Sequence, residues 1–289
     1  MSVRKNNKRA WAVAMAAATV AACGAAVSGQ TTDKSAYHLF NPTPRAAMRG
    51  METDRPDVTE SPYTVDAGHF QAELSFFEYG RDGSGPGNTS EWDVLPTNLK
   101  VGLTNSMDLQ FVFTPYIRVE ADEADADASG FGATQLRLKV NLWGNDGPDD
   151  RFGDSALAVM PFVQFPTGDD DLGFSDHVEG GVIVPFATSL PRGFGLGLMA
   201  EFDVVRDEDD DGYDLEFVHT ASVSRDIMRD WAGYVEYIGV AAPGDYAAAL
   251  GAGLTYELSP DVRLDGGVNV GLNDEAEDFR VFTGVSFRL

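Results

Sequence analysis

This sequence predicts an all-β fold, an antiparallel up-and-down transmembrane β-barrel of about twelve strands. Three observations carry that expectation. Apolar and polar side chains alternate with a period of two in segment after segment, down to the last residue. The alternating segments are about ten residues long, the length a tilted strand needs to cross a bilayer. The acidic runs all fall on connections assigned to one side of the membrane.

Two segments of another kind precede the strands. Residues 1–29 read as a secretory signal peptide: Arg4, Lys5, Lys8 and Arg9 lead into a short alanine-rich stretch from Trp11 to Ala22, with small residues at Ala26–Gly29. Val20-Ala21-Ala22-Cys23 also resembles a lipobox, and this is the chain's one cysteine, so the mature chain would hold no internal disulfide. Residues 30–66 contain Pro42, Pro44, Pro56 and Pro62 and no sustained period, so they read as an irregular N-terminal segment and a candidate periplasmic plug. Residues 67–289 are then the barrel.

The first strand alternates Phe70, Ala72, Leu74 and Phe76 with Gln71, Glu73, Ser75 and Phe77. The second sets Leu95, Leu99, Val101 and Leu103 against Asn98, Lys100 and Gly102. After a tight turn at 104–107, the third opposes Leu109, Phe111, Phe113, Ile117 and Val119 to Gln110, Thr114, Tyr116 and Arg118. The fourth opposes Leu136, Leu138, Val140 and Leu142 to Gln135, Arg137, Lys139 and Asn141. The fifth (155–165) and sixth (178–188) are apolar on both faces, and the seventh places Glu201 and Asp203 opposite Phe194, Leu196, Leu198, Ala200 and Phe202. The eighth, ninth and tenth cover 213–225, 231–240 and 246–258. The eleventh turns Arg263, Asp265 and Asn269 inward, and the twelfth does the same with Arg280, Gly284, Ser286 and Arg288.

Connections then alternate between outer loops (81–91, 120–130, 166–176, 207–212, 241–245, 273–278) and inner turns (104–107, 188–193, 226–230, 259–261). The connection at 144–154 is the exception, being long on the inner side. Tyr79, Trp92, Tyr116, Trp143, Tyr213, Trp231, Tyr246 and Tyr256 lie near strand ends, as interfacial girdles do. A soluble sandwich or barrel would show the same alternation, but strand length, girdles and the aromatic-rich final strand favour a bacterial outer membrane. Outer-membrane lipid is then the surrounding partner, and the final strand is the expected handle for barrel-assembly machinery.

The chain has 289 residues, 43% of them hydrophobic, and a net charge of −25. Loss of the signal removes four basic and no acidic residues, leaving 17 basic against 46 acidic, a net of −29. Such a surface repels phosphates, which excludes nucleic acid as a natural partner. His38, His69, His177 and His219 show no metal-ligand spacing, and His219 faces away from Ser222 and Ser224 by strand parity. No enzymatic activity, cofactor or metal is therefore expected. The acidic loops lack an ordered calcium-loop pattern and read as a solvated, repulsive surface with at most diffuse cation binding.

Inward charges are more specific. Lys100, Arg118, Arg137, Lys139, Arg263 and Arg280 are the expected basic pore lining, and Glu73, Glu201, Asp203 and Glu236 the acidic lining. They fall on roughly opposing arcs, which would set a transverse field across a pore or neutralise one another in a plugged one. Asp54, Arg55, Pro56, Glu60, Ser61 and Pro62 form a stiff, charged hook before the first strand. Arg55 would meet a lumen carboxylate while Asp54 and Glu60 meet lumen arginines, unless the segment is an ordinary linker.

The stretch from Met51 to Glu73 resembles the opening of the outer-membrane transporter family named for the MetA pathway of phenol degradation. Gln164-Phe165-Pro166-Thr167-Gly168 resembles that family's Pro-Thr-Gly element. Residues 132–140 resemble its basic fourth strand, although Ala133 and Thr134 stand where an acidic residue is common. The resemblance implies a barrel and the passage of small organic compounds. The expected function is thus passive movement of small organic solutes, aromatic ones included. The alternative is a non-conducting structural barrel with cation-binding outer loops.

Overall fold

The computed structural model describes residues 33–83, 88–122, 127–174, 176–207 and 212–289. The expected signal peptide, with Cys23, and parts of two acidic runs lie outside them.

Fifteen strand segments form one antiparallel sheet: β1 (Phe70–Asp82), β2 (Thr89–Val94), β3 (Thr97–Thr104), β4 (Met107–Phe113), β5 (Tyr116–Ala121), β6 (Ala128–Gly130), β7 (Thr134–Trp143), β8 (Ser155–Phe165), β9 (Glu179–Leu190), β10 (Phe194–Arg206), β11 (Tyr213–Met228), β12 (Trp231–Ala242), β13 (Asp245–Ser259), β14 (Val262–Gly271) and β15 (Phe279–Arg288). β15 pairs with β1 from Arg288 opposite Gln71 to Phe279 opposite Arg81, which closes the ring. β2 and β3 both pair with β1, and β5 continues β4 just as β6 precedes β7 in line. The fifteen segments are therefore twelve staves of a closed barrel, and closure leaves no open edge to template aggregation.

The first four staves are interrupted for local reasons that shift side-chain parity. In β1 the register slips between Ser75 and Phe77, so Phe76 and Phe77 both face outward and Glu78 turns inward. Opposite that bulge, Leu95 takes a left-handed φ of 57° before Pro96, whose carbonyl accepts the Ser75 N–H at 3.0 Å. Between β4 and β5 the Thr114-Pro115 break moves the inward position from even to odd residues. Arg118 consequently points outward, half exposed, and pairs with Glu120 at 2.7 Å. It does not line the pore: proline cannot donate to the ladder, and the stave restarts one residue out of step.

The outward face is apolar on every stave, with Phe70, Phe111, Leu136, Leu142, Leu215, Val235, Leu250 and Leu254 among its exposed side chains. A soluble protein would not leave so large a belt in water. The interior is mixed. One wall, from β8 to β13, carries Met160, Ile183, Met199, Val218, Ile238 and Val240 as a buried cluster. The other, built from β1, β3, β4, β7, β14 and β15, carries Glu73, Lys100, Asp108, Arg137, Lys139, Arg263, Asp265 and Arg280, all buried.

The seam has its own clasp. Arg280 of β15 reaches Asp93 at 2.7 Å and Glu91 at 2.8 Å on β2, Glu277 at 3.0 Å and Glu78 of β1 at 3.8 Å.

Candidate functional site

The segment before β1 enters the barrel from the end where Phe70 and Leu289 meet. At the mouth, Arg45 pairs with Asp261 at 3.1 Å, and Arg49 pairs with Asp146 at 3.1 Å and donates to Asn105 Oδ1 at 2.8 Å. Asp146 also takes Lys34 at 2.9 Å, and Asn145 brackets Thr64 through its N–H and hydroxyl. Both residues belong to the connection at 144–154, so the one inner turn of unexpected length is the one that grips the N-terminal segment.

Inside, residues 53–62 are all buried. Asp54 is held by Lys100 and by Lys139, the latter at 2.6 Å, and its backbone N–H donates to Glu73 Oε2 at 2.8 Å. Burial alone would raise the Asp54 carboxyl, but Lys100 and Lys139 overrule it and hold it well below the usual carboxylate range. The same carboxylate accepts the Ser61 N–H at 3.2 Å, which ties the two legs of the hook together. Arg55 makes a two-pronged contact with Asp265, with Nη2 at 2.8 Å, and lies against Gly284, where an added Cβ would come within 2.5 Å of the guanidinium. Glycine at that wall position is what lets the arginine lie flat on β15.

Glu60 meets Arg137 at 2.7 Å and Lys139 at 3.7 Å; burial and then the Asp54 charge nonetheless push it up to about 7. Pro56 and Pro62 leave their carbonyls to Tyr234 (3.2 Å) and Asn141 (2.8 Å).

At the tip the hook changes partners. The Val58 and Thr59 N–H groups both donate to Glu236 at 2.7 Å, and the Thr59 hydroxyl lies 2.6 Å from that carboxylate. The Val58 side chain packs into the apolar cluster of the β8–β13 wall. Lys100, Arg137, Lys139, Arg263, Arg280, Glu73, Glu201, Asp203 and Glu236 thus all face the interior, and Arg118 alone of the expected lining does not. Asp54 meets lysines rather than arginines. The basic arc is occupied by the hook's own carboxylates rather than facing an acidic arc across open space.

Several partners lie beyond the expected lining: Asp265, Glu78 and Asp108 (to the Val65 N–H at 3.0 Å); the expected Arg263 holds Met51 O at 3.1 Å. Parity marks Asp265 as inward from sequence; Glu78 is hidden by the bulge at Phe76. His219 faces outward, where its ring stacks on Phe217 and meets the Tyr246 hydroxyl at 3.2 Å. Ser222 is buried on the inner face. Among the described residues no His, Cys, Asp and Glu cluster converges as a metal site would.

Comparison with known families returns one described as "Putative MetA-pathway of phenol degradation", whose model matches residues 53–289. No curated protein matches the sequence. Among solved structures, the NanC porin is 14% identical over 76% of this chain and 100% of its own, with a TM-score of 0.48. The KdgM porin is 10% identical over 75% and 98%, also at 0.48, and the CymD monoaromatic hydrocarbon channel is 8% identical over 76% and 87%, at 0.40. Likenesses of that size decide nothing about what passes through this barrel.

Proposed function

We propose that this chain, which belongs to the MetA-pathway of phenol degradation family, is an outer-membrane channel for passive passage of small organic solutes, gated by the hook at residues 51–67. One observation carries the reading. Side chains alone fill an eight-stranded ring, whereas twelve staves leave more room, and here that room is taken by a separable piece of chain. The hook is held chiefly by ion pairs and hydrogen bonds, and buried ion pairs contribute little net stability compared with apolar packing of the same volume. A segment fixed that way suits a gate better than a permanent core. The apolar β8–β13 wall offers a path to the uncharged parts of an organic solute once the tip of the hook withdraws. Family membership points the same way, toward aromatic compounds and their relatives.

The test is a planar-bilayer recording of the mature barrel beside a variant lacking residues 30–62, with liposome swelling in aromatic acids, sugars and amino acids. A larger single-channel conductance on deletion and uptake of small organics support the channel. Unchanged conductance discards the gate. Tightness to every solute in both proteins favours instead a non-conducting structural barrel.

A further inference from the structure

Above the tip of the hook, toward the loop end, three carboxylates sit together on the inner face. Asp203 of β10 lies directly across the ladder from Glu216 of β11, and Glu201 is two residues from Asp203 on the same face. Like charges placed directly opposite one another on a sheet destabilise it unless something lies between them. Among the described residues three other buried carboxylate clusters have their own cations, Lys100 and Lys139 at Asp54, Arg55 at Asp265 and Arg280 at the seam, while Glu236 beside Asp57 is instead answered by the Val58 and Thr59 N–H groups.

Among the same residues, the three carboxylates above the hook have neither a cation of their own nor a set of backbone donors. Glu216 is 3% exposed, and its Oε1 has no hydrogen-bond partner; nor has Asp203 Oδ1. The charged groups acting on Glu216 are Asp203, Glu179 and Asp214, all acidic. The basic group acting on Glu201 and Asp203 is Arg137, which is already committed to Glu60 at 2.7 Å and to Gln135 at 2.6 Å. Two buried, unsatisfied carboxylate oxygens in one patch call for a positive ligand.

The surroundings define what kind. Ile183 and Val218 lie across the ladder from Glu201 on either side, both buried, and Phe162 lies across from Gly181, the neighbour of Asp203. A cation there meets carboxylates on one side and an apolar floor with an aromatic edge on the other. The oxygens do not converge as metal ligands would, and the floor offers nothing to a hydrated inorganic ion. The geometry points to a binding station for a small organic ammonium ion with an apolar body, its charge on Glu201, Asp203 and Glu216 and its body on Phe162, Ile183 and Val218. This station rests on the channel reading for its purpose but not for its existence.

Binding of 2-phenylethylammonium chloride to the detergent-solubilised full barrel, followed by calorimetry, tests it. The isosteric neutral alcohol 2-phenylethanol and potassium chloride are the comparisons. Wild type should bind the ammonium at least about tenfold more tightly than either comparison, and Glu216→Gln and Asp203→Asn should each weaken it by about tenfold. Both variants relieve like-charge repulsion, and heat-modifiable gel migration verifies that each still folds. Absence of binding, equal affinity for the alcohol or potassium, or affinity unchanged in both folded variants overturns the station. A barrel that binds the ammonium yet passes no solute keeps the station and sinks the channel; one that conducts without binding does the reverse.

Discussion

The two walls of the lumen hold the same hook by opposite means. On the β1, β3, β4, β7, β14 and β15 side, Asp54, Arg55 and Glu60 meet Lys100, Lys139, Asp265 and Arg137, so each charge brought in is answered by one waiting. On the β8–β13 side, Val58 is packed among Met160, Ile183, Met199, Val218 and Ile238, and Glu236 supplies the main polar anchor. Charge gives register: only one placement of the hook satisfies all four pairs. Apolar contact gives adhesion without register. The difference teaches where the hook should let go first.

Removing one member of the ionic set should do the most damage. Asp54→Asn leaves Lys100 and Lys139 buried with less counter-charge, a change that costs about 3–5 kcal/mol. Endoproteinase Glu-C should then cleave after Glu60 in the folded barrel, where wild type resists, and conductance should rise. Resistance unchanged in the variant would mean the apolar wall alone holds the segment. Glu236→Gln comes next, since it leaves one charge-assisted backbone bond as a neutral one and sets an amide NH2 against the other N–H, at a cost of about 1–3 kcal/mol. It should loosen the tip while the Asp54 N–H on Glu73 stays protected, as read by hydrogen exchange at Val58 and Thr59 against Asp54.

pH sharpens the contrast further. Glu60, raised to about 7 from an ordinary 4.5, contributes docking stability that is complete below 4.5 and lost as pH rises through 7. Asp54, depressed below 3.8, contributes stability that is present above 3.8 and lost only as pH falls beneath it. Docking is therefore tightest near about pH 4 to 4.5 and weakens as pH rises from about 4.5 to 7, so Glu-C cleavage after Glu60, measured against an unstructured control peptide, should be greater at about pH 8 than at about pH 5. A flat profile would show that Glu60 does not titrate across the docked state. Val58→Ala is the smallest effect, about 1–2 kcal/mol for the methyls lost from the cluster. It should shift thermal stability slightly and leave the bond after Glu60 resistant to Glu-C.

How much of this was readable beforehand depends on whether a feature is local. Two-residue alternation places Lys100, Arg137, Lys139, Arg263 and Arg280 inside because parity holds along an unbroken stave. It misplaces Arg118 because the break at Thr114-Pro115 resets parity, and it hides Glu78 because a bulge falls between two phenylalanines that read equally well on either face. The two-faced apolarity of residues 155–165 and 178–188, which blurs them as strands, is the apolar lumen wall seen in sequence. The hook's charges are plain in Asp54, Arg55 and Glu60. Their pairing with Lys100, Lys139, Asp265 and Arg137 is not, since sequence separations from 46 to 210 residues are bridged only by closure. The length of the connection at 144–154 likewise makes sense only once Asn145 and Asp146 are seen against Thr64 and Arg49.

The arginine at the seam carries a consequence for biogenesis. Arg280 belongs to the last stave synthesised, while Glu78, Glu91 and Asp93 belong to the first two. Until the ring shuts, Glu78 and Asp93 face each other across the β1–β2 ladder with Glu91 beside them and no Arg280 among them, so that pairing carries like-charge repulsion. Arrival of the final stave sets Arg280 among those three acids and turns their repulsion into a lock on the finished cylinder.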